Sequence, residues 1–150
     1  MYSGGIDGIL TIHDTRQKDP VKNIIGPYII GDAIDVFGNV LLTGSYRAKD
    51  CIEIWDLRTF NRITVHNWDD DNPKEGGEIV GAKFSKQKPG SVIAACRLTN
   101  QVKIFDKYST STLASAEGFQ SMIYSIDQSQ DGEYIAVGTK DGLVTVFEFH

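Results

Sequence analysis

Three sets of residues have the types and spacing for chemistry or for charged recognition. Asp69, Asp70 and Asp71 form an acidic run inside the segment NWDDDNPKEGGE at 67–78. The alternation of Asp69 and Asp71 matches the opening ligands of a helix–loop–helix calcium loop. Pro73 then stands where a third ligand is needed, and no Glu follows at the closing position. Cation binding is therefore set aside, and the run reads as an acidic protrusion able to attract a basic partner, or as a solvated insertion. Arg47 and Lys49 sit in the short polar stretch RAKD. They suit contact with an acidic ligand, or simple solvation of a turn. Arg16 and Arg58 each follow an aspartate by two positions, Asp14 and Asp56. That spacing lets the guanidinium pair with the carboxylate or present itself to a partner.

Catalysis finds little support. The histidines are His13, His66 and His150. His13 is expected to pack between sheets and His66 to lie near an outer rim. The chain has no GxSxG elbow, no HExxH pair and no phosphate-cradling glycine loop. No metal or cofactor is implied, and the protein is expected not to be an enzyme. Cys51 and Cys96 are embedded in apolar runs and lack CxxC spacing, so buried, reduced thiols are expected rather than a zinc site or a disulfide.

These groups must be positioned by strands. Around Trp55 the residues Ile52, Glu53, Ile54 and Trp55 alternate, the period of a strand with distinct faces. The pattern recurs. His13-Asp14, Trp55-Asp56, Phe105-Asp106 and Phe147-Glu148 occupy matching places at spacings of 42, 50 and 42 residues. Each is preceded by a pair of branched residues: Leu10 and Ile12, Ile52 and Ile54, Val102 and Ile104, Val144 and Val146. Each pair follows a strand ending in small residues, at Gly4, Gly44, Cys96 and Gly138. Asp7-Gly8, Gly38-Asn39, Asp131-Gly132 and Asp141-Gly142 supply tight turns. Each unit is an antiparallel meander of propeller-blade length.

On the residues LLTGS…IEIWDLRT at 41–59, with weaker copies at 2–16, 92–106 and 134–148, the chain resembles the WD-repeat β-propeller family. The resemblance implies an all-β arc of four-stranded antiparallel blades, strands a to d running from axis to rim, not a closed ring on its own. The expected organisation is one partial propeller over 1–150. Residues 1–25 make an incomplete blade b-c-d, 26–67 a blade, 68–118 a blade with a long d–a loop, and 119–150 an incomplete blade a-b-c. A polar network that the family often uses needs a His ahead of strand a. Here Gly26-Pro27, Gly76-Gly77 and Gly118-Phe119 stand there instead, so Ser45, Trp55 and Asp50 lack their fourth member.

Hydrophobic content of 41% over 150 residues suits a globular domain. A net charge of −5 argues against a nucleic-acid surface. No apolar run approaches membrane-spanning length, no leader is visible, and an intracellular, cytoplasmic setting is expected. The functional expectation is a non-catalytic protein-interaction scaffold, a propeller segment that completes or is completed by another chain, or that self-associates. Two alternatives follow from the resemblance. One is a substrate receptor of a cullin-RING ubiquitin ligase, docking through Arg16 and Arg58 of Asp-x-Arg. The other is a component of a cytoskeletal or ciliary assembly. A chain opening inside strand b suggests a truncated or split product.

Overall fold

The computed structural model describes residues 1–69, 71, 76–109 and 111–148. Those residues form strands and turns, with no helix among them. The strands are β1 Tyr2–Gly4, β2 Ile9–Ile12, β3 Lys22–Ile25, β4 Ile34–Phe37, β5 Val40–Gly44, β6 Ile52–Asp56 and β7 Asn61–His66. They continue as β8 Ile79–Phe84, β9 Ser91–Cys96, β10 Gln101–Asp106, β11 Thr112–Ala116, β12 Ile123–Gln128, β13 Tyr134–Thr139 and β14 Val144–Glu148. They build four antiparallel sheets in strict chain order: β1-β2-β3, β4-β5-β6-β7, β8-β9-β10-β11 and β12-β13-β14. Short turns force this meander, because a hairpin connection leaves the next strand only its neighbour to pair with. The architecture is an open β-propeller arc of consecutive sheets, as the repeats predict.

Three apolar seams lie between consecutive sheets. Leu10, Ile12 and Ile24 of the first sheet pack on Leu41 of the second. Leu42, Ile52 and Ile54 of the second meet Ala82, Ala94 and Phe105 of the third. Ile93, Val102 and Ile104 of the third meet Ile126, Ile135 and Val137 of the fourth. Burying one such branched side chain contributes about 1.5–3 kcal/mol, so the seams hold the sheets in order. The sheets approach closely at Gly44, where a Cβ would collide with the Ile79 side chain.

His66 departs from expectation. It lies on β7, the rim strand of its sheet as expected, but its ring is buried in the second seam against Phe105, with ring centroids 5.6 Å apart. His13 does not sit between sheets either. It alternates with Ile12 and faces away from the first seam, its Nε2 3.3 Å from Ser3 Oγ. Both thiols are buried and unbridged. Removal from water pushes the Cys51 thiol up to about 12, with Cys96 adding a smaller effect. Alkylating reagents at pH 8 are therefore expected to label neither cysteine in the native protein and both in denaturant. Native-state labelling of Cys51, read by mass spectrometry, contradicts this packing.

Candidate functional site

The register aligns one face of every sheet. Leu10 pairs with Gly4 and Ile12 with Tyr2. Ile52 pairs with Gly44 and Ile54 with Leu42. Val102 pairs with Ala95 and Ile104 with Ile93. Val144 pairs with Gly138 and Val146 with Ala136. In each case a small residue lies opposite the first branched side chain, leaving room for the next sheet. In three sheets the face is covered: Leu10 and Ile12 are 0% and 8% exposed, Ile52 and Ile54 0% each, Val102 and Ile104 1% and 5%. In the fourth, Val144 and Val146 are 71% and 58% exposed. The fourth sheet thus presents to solvent the surface its predecessors bury. Among the described residues β14 is the edge strand of its sheet, and an edge strand can accept a further strand.

The other end of the arc is the first sheet. The outward side of the first sheet carries Ser3, Thr11 and Asn23 between Ile9 and Ile25, and the inner edge of β1 is unpaired. In the other sheets, the faces that receive a predecessor carry Leu41, Phe105 or Val137. Both ends are therefore mixed faces: the fourth sheet sets Val144 and Val146 beside the exposed Ser125, Asp127 and Glu148.

The charged candidates divide between two sides of the arc, because antiparallel strands place alternate connections at opposite ends. Arg16 lies between β2 and β3 and Arg58 between β6 and β7, on one side. Arg47, Lys49, Asp69 and Asp71 lie in the β5–β6 and β7–β8 connections, on the other. Asp70 falls outside the described residues.

Arg16 and Arg58 are strongly exposed, yet each guanidinium is held by its own aspartate. Arg16 Nε and Nη2 donate to Asp14 at 2.9 and 2.6 Å. Arg58 Nε and Nη2 donate to Asp56 at 3.1 and 2.8 Å. The Arg58 guanidinium, then the Arg58 backbone N–H, hold the Asp56 carboxyl down to about 2. A depressed carboxyl favours the fold above the ordinary carboxylate range near 3.9, and that contribution is lost as pH falls from there through about 2. Carboxyl NMR titration is expected to place the Asp56 midpoint near 2 and to return it toward the ordinary range in Arg58→Ala. An unmoved midpoint contradicts the pairing.

Arg47 binds inward. Its Nη1 donates to Gly26 O at 3.1 Å, its Nε and Nη2 to Asp50 O at 3.0 and 2.7 Å, and Nη2 pairs with Glu53 at 2.9 Å. Arg62 reaches the same Glu53 oxygen at 2.7 Å. Glu53 is buried in β6. Trp55 Nε1 donates to Thr43 Oγ1 at 3.2 Å, while Ser45 Oγ accepts from Tyr28 N–H at 2.7 Å. The sheet therefore uses an Arg47–Glu53–Arg62 cluster, joined to the Gly26 carbonyl at the place where a His would stand. Lys49 is exposed beside it. Asp69 is half-buried and accepts from Asp71 N–H at 3.0 Å. The described residues contain no group of three metal-ligating side chains.

Trp68 is the residue in the acidic segment that sequence reasoning missed. Its ring is buried, edge-on to Phe105 at 5.8 Å, with Lys103 Nζ 5.0 Å from its centroid. Its Nε1 donates to Gln101 Oε1 at 3.3 Å. A lone tryptophan amid Asn and Asp was the available signal, since burial of so large a ring needs a partner seam. No helix among the described residues is long and apolar enough to cross a membrane.

No family model matches the chain, and no curated protein matches it. Among solved structures, the chain is similar to the computationally designed Ika4 protein, at 17% identity and a TM-score of 0.74, over 99% of this chain and 84% of that one. The computationally designed Ika8 protein is 18% identical with a TM-score of 0.73, over 99% of this chain and 42% of that one. A chain of the Mitotic Checkpoint Complex is 16% identical with a TM-score of 0.79, over 99% of this chain and 46% of that one. The chain spans less than half the length of the last two. The likeness is one of β-propeller fold; the WD-repeat resemblance itself rests on the motifs.

Proposed function

We propose that the protein is a non-catalytic interaction scaffold whose fourth sheet docks a further propeller blade, carried by another chain or by the rest of a longer polypeptide. The observation that carries this reading is the exposure of Val144 and Val146 at positions buried in every preceding sheet. Exposed branched side chains at positions that the other sheets bury mark an interaction site, and repeat stacks need such faces covered. The similarity to a chain of the Mitotic Checkpoint Complex fits a role within an assembly.

The test is the double substitution Val144→Lys with Val146→Lys. Both side chains point away from the third seam, so the strand signal in circular dichroism is expected to stay unchanged. Association with partner or self, measured by light scattering, is expected to weaken at least a hundredfold, since two desolvated lysines replace about 3 kcal/mol or more of apolar burial. Unchanged association in a folded double variant rejects the reading.

Docking of a cullin-RING adaptor through Arg16 and Arg58 is the weaker reading. Their exposure favours it, but each guanidinium is already engaged by Asp14 or Asp56.

A further inference from the structure

A cavity of about 250 Å³ opens at the second seam, on the side that carries Arg16 and Arg58. Its apolar walls are Val36, Phe37 and Phe84, and its rim is the β8–β9 turn with Lys86, Pro89 and Gly90. Phe37 and Phe84 meet at 6.3 Å between ring centroids, with Phe37 largely exposed at the mouth. Pockets for drug-sized ligands run from about 300 Å³ upward, so this one has room for a single large side chain.

The polar groups in its walls are almost all spent. Asp35 accepts from the backbone N–H of Val36 at 2.9 Å and of Phe84 at 2.8 Å. Ser85 Oγ accepts from Lys88 N–H at 3.0 Å, and Ser91 Oγ donates to Lys88 O at 2.8 Å. Lys86 Nζ donates to Gln128 O and Ser129 O, both at 3.2 Å. Lys107 is the exception. It is only 8% exposed, yet its ammonium lies over the rings of Phe84 at 5.3 Å and Tyr108 at 5.2 Å. Among the described residues no carboxylate or carbonyl takes its protons. The stem of Lys107 is buried while its ammonium reaches the cavity, where the ring faces favour a cation and leave its protons open to an anion. Lys86 adds positive charge at the same rim, and Asp35 is the carboxylate of the cavity lining.

We propose that this cavity anchors an extended peptide of a partner protein, with a large apolar side chain followed by a carboxylate residue. The apolar side chain fills the space between Phe37 and Phe84, and the carboxylate accepts from Lys107 Nζ. Cavity size selects a side-chain anchor over a cofactor, and the unspent ammonium selects an anion beside it. The site is at the second seam and does not depend on the open face of the fourth sheet.

The probe is a fluorescein-labelled Gly-Ser-Phe-Glu-Gly-Ser peptide, with Phe-Gln and Ala-Glu versions, titrated into the full chain and read by anisotropy. The Phe-Glu peptide is expected to bind saturably, and both other versions about tenfold or more weakly, as loss of a charge-assisted bond or an apolar anchor requires. Lys107→Met keeps the aliphatic stem against Phe84 and is expected to remove the preference for Glu over Gln. Phe37→Ser, at the exposed rim, is expected to weaken all binding without affecting the fold. Equal binding of the Phe-Glu and Phe-Gln peptides, a Glu preference that survives in Lys107→Met, or no saturable binding overturns the proposal.

Discussion

Trp68→Ala is expected to lower the free energy of unfolding by about 3–5 kcal/mol, the range for truncating a large buried aromatic. The ring closes the second seam at the point where the β7–β8 connection crosses from one sheet to the next. It sits edge-on to Phe105, which also packs against His66. Alanine leaves a void there and removes the donor to Gln101. It also removes the ring face over which Lys103 Nζ lies, although that ammonium keeps its bond to Trp68 O at 2.8 Å. A Cβ on Gly76 would collide with the same indole, so the far end of the acidic segment is shaped around it. Urea denaturation of both proteins measures the effect. A loss under about 1 kcal/mol contradicts the burial of this ring.

Arg47→Ala is expected to cost about 3 kcal/mol, the lower end for breaking a buried ion pair. Glu53 cannot leave its strand position, and it keeps Arg62 as a counter-ion, which is why the lower figure applies. The carbonyls of Gly26 and Asp50 lose a charged donor at the same time. Arg47→Lys is expected to recover only part of the loss, because an ammonium cannot serve Gly26, Asp50 and Glu53 in one plane. Full recovery with Lys assigns Arg47 a purely coulombic role and contradicts the geometry described above. Both variants are compared by thermal unfolding.

The strands were legible because each is a strip of alternating residues with one face in a seam. Ile52 and Ile54 show it most plainly, and the same pair at Val144 and Val146 located β14. The small residues opposite them were legible as strand ends, although only the structure shows that Gly44 makes room for Ile79. The site was less legible, for physical reasons. Arg47 reads as a loop cation because its partners, Gly26 and Glu53, come from other segments. Glu53 was visible only as a polar residue in an apolar strand. His66 alternates like a rim residue, and nothing local indicates that the third sheet covers it. Lys107 closes the strand expected over Val102–Lys107 with nothing local to mark its role, whereas the ring of Phe84, brought in from β8, lies beneath its ammonium. Exposure of Val144 and Val146 follows from the open arc that the repeats imply, not from the residues of β14 themselves.

This open face is expected not to rest uncovered in water. Sedimentation of the unmodified chain over a range of concentrations tests it directly. The expected result is species heavier than 16.6 kDa, increasing with concentration. A stable, well-behaved 16.6 kDa monomer at every concentration contradicts it.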